Sequence, residues 1–343
     1  MGKTERLFYL DFIRAISVIF IVVYHFNCSL GGHSIDGKEI SLSLIPNGDL
    51  GHVGVSLFLI ISGAALMYTY QADFSFINYI KKRFMTIYPM FWTAYTIAFL
   101  YFFYLYGSID HVQKWTFILT IFGIDGYLQR AIPNFYILGE WFLGCIILLY
   151  LCFPILKKFI IRYPKLLIIF VGAIYFIVVE NYTFKIPLQA NLLTRLPEFL
   201  FGMYFILYFK KVNIYQFVGA LSVSMFLLFK VLNINSMYKV TIVGISLFFV
   251  LTFIGQNINL QKIKRPFILI SKYSYAIFLV HHVIIEQMLI RFNSRKITHT
   301  ESYLLFLIIC ILITIISAYL YKISTELSRY LKEIQLVNHS ISQ

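Results

Sequence analysis

Arg14 and His25 stand eleven residues apart in the stretch Leu10-Asp11-Phe12-Ile13-Arg14 to Val23-Tyr24-His25, and the residues between them are almost all apolar. At about 100° per residue, eleven steps come to roughly 20° beyond three full turns. On a helix the two side chains therefore share one face, separated by about 16 Å along the axis. Asp11 lies one turn before Arg14 on that face and can pair with it. An imidazole takes a proton near neutral pH, and a guanidinium binds phosphate or carboxylate through paired N–H donors. Taken singly, Arg14 reads as an interfacial arginine and His25 as a hydrogen-bonded histidine. Taken together at opposite depths of one helix, they describe a polar path through a bundle, because an ionisable group inside an apolar span is costly to bury.

Other residues have weaker claims. Lys81, Lys82 and Arg83 form a basic cluster just before the third apolar stretch, suited to setting topology or to holding phosphate. Glu140 precedes Trp141 at the start of the fourth stretch, where it can orient His25, bind hydroxyl groups or face solvent. Arg195 and Glu198 are i,i+3 neighbours, able to neutralise each other or to bind a polar ligand. His281 lies inside the ninth stretch and fits a structural hydrogen bond as readily as a pore lining. Ser62-Gly63 reads as a close helix contact rather than a nucleophile. No His/Cys cluster has zinc spacing, no GxxxxGK[ST] loop occurs and no GxSxG elbow is present. The four cysteines, Cys28, Cys145, Cys152 and Cys310, form no CxxC pair and read as packed thiols. We expect no bound metal.

The elements that must position these residues are membrane helices. The chain has 343 residues, 60% of them hydrophobic and 13% charged, against about 25% charged in a soluble globule. The first apolar run lacks a small-residue cleavage site, so it is expected to be retained as a helix. Ten spans are expected, near 9–29, 52–71, 85–106, 136–156, 165–181, 194–209, 215–232, 239–256, 266–290 and 302–322. The expected architecture is an all-α polytopic bundle, one membrane-embedded domain over 1–343 with no appended soluble domain. Lys and Arg are spread between the apolar runs, 18 in one set of loops and 9 in the other, and this bias places both termini in the cytoplasm. The net charge of +14 is therefore topology-setting loop charge rather than a nucleic-acid groove.

The first helix, LDFIRAISVIFIVVYHF, resembles the signature of the integral-membrane acyltransferase family 3, which carries Leu-Asp-x-x-Arg and a His eleven residues after the Arg. Three further stretches resemble that family in the expected order: His52 to Gly63, Lys82-Arg83 with Ile87-Tyr88-Pro89, and Ser274-Tyr275-Ala276-Ile277-Phe278-Leu279-Val280-His281. The segment Arg195 to Gly202 is similar to another. Two positions depart from the pattern. Thr86 stands where relatives often have a second arginine, and Ile146 stands where many have a glutamate.

The resemblance implies a ten-helix enzyme that takes an acyl group, commonly acetyl, from cytoplasmic acyl-CoA and places it on a hydroxyl of a cell-surface polysaccharide or other envelope glycan. It makes His25 the essential histidine and Arg14 the essential arginine; Glu140, which matches no family position, is a candidate catalytic helper by its place at the start of the fourth stretch alone. With CoA as donor, Arg14, Lys82 and Arg83 are the candidates for its phosphates, and Trp141, Arg195, Glu198 and His281, by their positions, are the candidates for the acceptor. Asp11 and Ser62 are supports. The expected partners are a glycan or lipid-linked glycan and membrane lipid in a bacterial cytoplasmic membrane, with a second copy or a separate envelope-synthesis protein as further candidates. The competing reading is a transporter or flippase of a lipid-linked glycan or small solute, which ten helices with intramembrane charge would also suit. It lacks a matched pair of broken helices.

Overall fold

A computed structural model describes residues 6–40, 47–72, 74–107, 112–230 and 234–341. Lys3, counted in the basic loop set, and the last two residues of the expected span 215–232 lie outside them. The described chain is helical, without a strand. Its helices are α1 (Phe8–Gly32), α2 (Asn47–Thr69), α3 (Phe76–Tyr106), the short α4 (Phe117–Ile121) and α5 (Asp125–Leu128), α6 (Glu140–Arg162), α7 (Pro164–Glu180), α8 (Leu192–Tyr204), α9 (Ile214–Phe229), α10 (Ser236–Asn257), α11 (Gln261–Leu289) and α12 (His299–Ile341).

Each of the ten expected spans coincides with a helix. Seven of these helices are long and apolar enough to cross a bilayer: α1, α2, α6, the Leu188–Phe209 segment containing α8, α10, α11 and α12. Of the other three, α7 and α9 have 17 and 16 residues, short of the ~20 that cross ~30 Å of hydrocarbon. The third, α3, has 31 residues but interleaves its apolar positions with Tyr, Trp and Thr. A π-helical turn, Phe205–Phe209, prolongs α8, which is why the sixth apolar run is longer than its α-helix.

Local sequence sets several boundaries. Asn213 accepts from the Gln216 N–H while the Gln216 side chain accepts from the Asn213 N–H, a capping box at the start of α9. Asn191 and Asn235 cap α8 and α10 by a single bond each, accepting from the N–H groups of Leu193 and Met237.

The interior is built on α1, α2, α8, α10 and α11, with α12 mostly peripheral. Two glycines let α2 and α8 meet backbone to backbone. A Cβ at Gly63 would sit 2.0 Å from the Phe199 carbonyl oxygen, and one at Gly202 would sit 1.9 Å from that of Ile60. The Ser62-Gly63 step thus lies at a close helix contact. Helices α1 and α11 run side by side, and the loops that follow them are stitched together. Ser294 N–H donates to His33 O at 2.9 Å, Asp36 N–H to Arg295 O at 3.0 Å, and Ile297 N–H to Asp36 O at 2.9 Å. This stitching fixes the register of α1 against α11 at the end where His25 lies.

Candidate active site

Four ionisable groups from three helices converge at the His25 end. The His25 ring centroid is 4.9 Å from that of His281 and 4.8 Å from that of His282, both on α11. Glu140, the first residue of α6, pairs with Nδ1 of His282. One donor atom from each of His25, Glu140 and His282 lies within 4.8 Å of the other two. A metal ion could gather such a set, although the ion pair already satisfies two of the three. His25 itself has no hydrogen-bond partner among the described residues, so its ring is uncommitted.

The backbone before Glu140 is what turns this carboxylate inward. Gly139 has φ 98° and Glu140 itself φ 47°, so the chain enters α6 through two consecutive left-handed residues. The short helix α5 packs beneath. A Cβ at Gly126 would come within 2.6 Å of the Glu140 carbonyl oxygen, so only glycine permits this approach. The adjacent Asp125 is buried, which pushes its carboxyl up to about 6, with the Gly126 N–H bond at 2.9 Å opposing the shift.

The network continues beyond His282 to the loop end of α1. Glu286, one turn further along α11, lies 3.6 Å from His282 Nε2. It accepts from His33 Nε2 at 2.8 Å and from the Ser29 hydroxyl. His281 is fully buried. Its Nδ1–H donates to the Phe278 carbonyl at 2.8 Å, which leaves Nε2 as an acceptor without a partner among the described residues.

Arg14 lies at the other end of the same α1–α11 seam. Its Nη1 donates to Ser271 Oγ at 3.4 Å and stands 3.9 Å from Asp11 Oδ1. Asp11 is enclosed, bonded by the Arg6 guanidinium at 2.5 and 3.0 Å and by Ser271 Oγ at 2.6 Å. Arg6 is therefore the main partner of Asp11, and Arg14 is held more loosely than the i,i+3 spacing suggests. Between the two ends, Val18, Ile21, Val22, Phe58, Ile277 and Phe278 close the seam around a small void that reaches His281.

The remaining candidates lie elsewhere. Lys82 sits over the Tyr70 ring and Arg83 over the Tyr150 ring. Arg83 borders a cleft of about 340 Å³ between α3 and α6, and its buried Nε has no partner among the described residues. Arg195 and Glu198 are both fully buried and bonded to each other at 3.0 Å. Ser56 donates to Glu198 at 2.6 Å, and Arg195 Nε donates to the Gln189 carbonyl at 2.6 Å. Arg195 also lies over Trp141. This pair is an enclosed cluster between α2 and α8, the mutually neutralising arrangement that its i,i+3 spacing allows.

Sequence reasoning passed over His282 and Glu286. The signal was present: His282 and Glu286 are i,i+4 ionisable residues within an apolar span, the same cost argument that singled out Arg14.

A bundle of apolar helices with a half-buried His/Glu cluster at one end and an Arg/Asp/Ser cluster at the other defines a multi-pass membrane protein built around one polar seam. Residues 7–322 match the acyltransferase domain of acyltransferase family 3, and the chain belongs to that family. It is a membrane acyltransferase. No curated protein and no solved structure matches it.

Proposed function

We propose that the protein transfers an acyl group, acetyl in the simplest case, from cytoplasmic acyl-CoA to a hydroxyl of a cell-surface polysaccharide or other envelope glycan. In this reading ten helices cross the bilayer, both termini are cytoplasmic, Arg14 faces the cytoplasm and His25 the outer side. The observation that carries the reading is the seam between α1 and α11, with an uncommitted imidazole at one end and a guanidinium at the other.

Acyl-CoA enters at the Arg14 end, its phosphates drawn to Arg14 and to Lys82 and Arg83, and its pantetheine arm parts the apolar side chains of the seam. The acceptor hydroxyl meets the thioester at His25. His25 takes the hydroxyl proton as the oxygen attacks the thioester carbonyl, the C–O bond forms and the C–S bond breaks. The thiolate leaves and recovers a proton from the imidazolium, giving the free CoA thiol and restoring His25. Glu140, held by His282, is placed to stabilise the imidazolium while it exists. The acceptor, a glycan or lipid-linked glycan, approaches from the outer side.

The test is release of CoA thiol by the purified protein in liposomes, supplied with acetyl-CoA and a glycan acceptor. Release that requires both acceptor and His25 supports the reading. Release that is undiminished in His25→Ala overturns the role of His25, and solute flux without thiol release would favour a transporter.

A further inference from the structure

A groove of about 420 Å³ opens on the lipid-facing side of the bundle between α3, α11 and α12, within the ~300–1,000 Å³ range of ligand clefts. Its walls are aliphatic. Ala94 and Ala98, one turn apart on α3, make it deep, and Val283 of α11 with Ile316 and Leu320 of α12 close its sides. Both alanines are positions where a large side chain would fill the space.

Apart from the Tyr319 hydroxyl on α12, the polar groups cluster at one end. There Tyr101 Oη donates to the Gln287 side-chain oxygen at 3.2 Å, and Arg291 is exposed with no ion pair among the described residues. That end is the His25 end, because Arg291 lies just past α11, in the segment stitched to the loop after α1. Leu138, two residues before Glu140, forms part of the groove wall. Val283 and Gln287 on the groove side of α11 alternate with His282 and Glu286 on the site side, so a single helix separates the groove from the cluster.

We propose that this groove holds the hydrocarbon chain of a phosphate-bearing lipid-linked acceptor, with its phosphate on Arg291 and its sugar carried over Leu138 to Glu140 and His25. The pattern of an apolar trough ending in a guanidinium with no ion pair among the described residues matches an amphiphile with an anionic head. A bilayer lipid merely coating the surface would need neither the depth at Ala94 and Ala98 nor the cation. The Arg291 guanidinium supplies charge-assisted hydrogen bonds that a phosphate accepts and a neutral alcohol head does not. This inference rests on the acyl-transfer reading for its purpose, but the binding it asserts can be measured without any turnover.

The experiment uses the full chain in phosphatidylcholine nanodiscs with a polyprenyl phosphate that carries a diazirine on its hydrocarbon chain. Labelling is expected on peptides of α3, α11 and α12 that contain Ala98, Val283 and Leu320. Unlabelled polyprenyl phosphate should compete at least about tenfold better than the matching polyprenol, equivalent to about 1.4 kcal/mol. Ala98→Trp should abolish groove labelling, and Arg291→Gln, which leaves the packing untouched, should remove the preference for phosphate. Uniform labelling of all lipid-facing helices, or equal competition by polyprenol, overturns the proposal. Persistence of the phosphate preference in Arg291→Gln also overturns it. Labelling in His25→Ala should match the native chain, so the groove and the acyl-transfer chemistry stand or fall separately.

Discussion

The ring of His25 lies 4.8 Å from that of His282, and eleven residues earlier on each helix Arg14 Nη1 donates to Ser271 Oγ. Both pairs are separated by 257 residues in the chain, so α1 and α11 run in register through the bundle. One seam thereby carries a polar contact at each end, with Val18, Ile21, Val22, Phe58, Ile277 and Phe278 packed between them. A site of this form can receive a charged group at one end and a reacting group at the other, without a continuous water path.

His25→Ala is expected to lower CoA thiol release with acceptor by about 10²–10⁴-fold, the span typical of a lost general base. The substitution removes a ring that contacts other rings but bonds none of them, so thermal unfolding in detergent should change little. Activity within twofold of the native chain would refute the assignment.

Arg14→Ala is expected to raise KM for acetyl-CoA by about tenfold with a smaller effect on kcat, since a charge-assisted contact is worth about 1.5–3 kcal/mol. Ser271→Ala removes the 3.4 Å bond to Arg14 and the 2.6 Å bond to Asp11, and should give a weaker version of the same change. A fall in kcat with KM unchanged would place Arg14 at the chemical step instead.

Glu140→Gln keeps the shape of the carboxylate but removes its charge beside His282. We expect kcat to fall by about 10–100-fold while KM for acyl-CoA stays within twofold, because the Arg14 end is untouched. Glu286→Gln acts one residue further out and should cost less. An equal loss in the two variants would mean that both only hold α11 in place.

Asp125 provides a pH test outside the spanning helices. Its folded-state value of about 6 lies above the ordinary 3.8, so the folded state binds the extra proton. The associated stabilisation is fully present below about pH 3.8 and is lost as pH rises through about 6, amounting to roughly 3 kcal/mol over two units. Asp125→Asn keeps the oxygen that accepts from Gly126 N–H and should flatten this dependence, raising Tm above pH 6. An unchanged slope between pH 4 and 6 would show that Asp125 is not the titrating group.

Gly202→Ala should destabilise the bundle by about 1–3 kcal/mol, because a methyl group 1.9 Å from the Ile60 carbonyl forces α2 and α8 apart. Gly172→Ala, at a position with nothing within 4 Å, is the matched control. Equal thermal stability of the two variants would contradict the close contact.

Much of this protein is local and therefore legible in its sequence. Apolar run length alone places a helix at each of the ten expected segments. Helical periodicity alone puts Arg14 and His25 on one face, because both belong to a single continuous helix whose geometry is fixed by its backbone. The first-helix motif, with its companions, leads to the family. The partners of those two residues are not local. Glu140 is 115 residues from His25 along the chain, and it reaches the site through two left-handed residues that no periodicity reveals. His282 and Ser271 arrive because the loops after α1 and α11 bond to each other and fix the register of the two helices. Arg195 and Glu198 show the converse. Their spacing permits a ligand site, but close packing of α2 on α8 through Gly63 and Gly202 encloses them, and Arg195 Nη1 pairs with Glu198. A sequence fixes which side chains one helix presents together; which helix each face meets depends on packing among segments far apart in the chain.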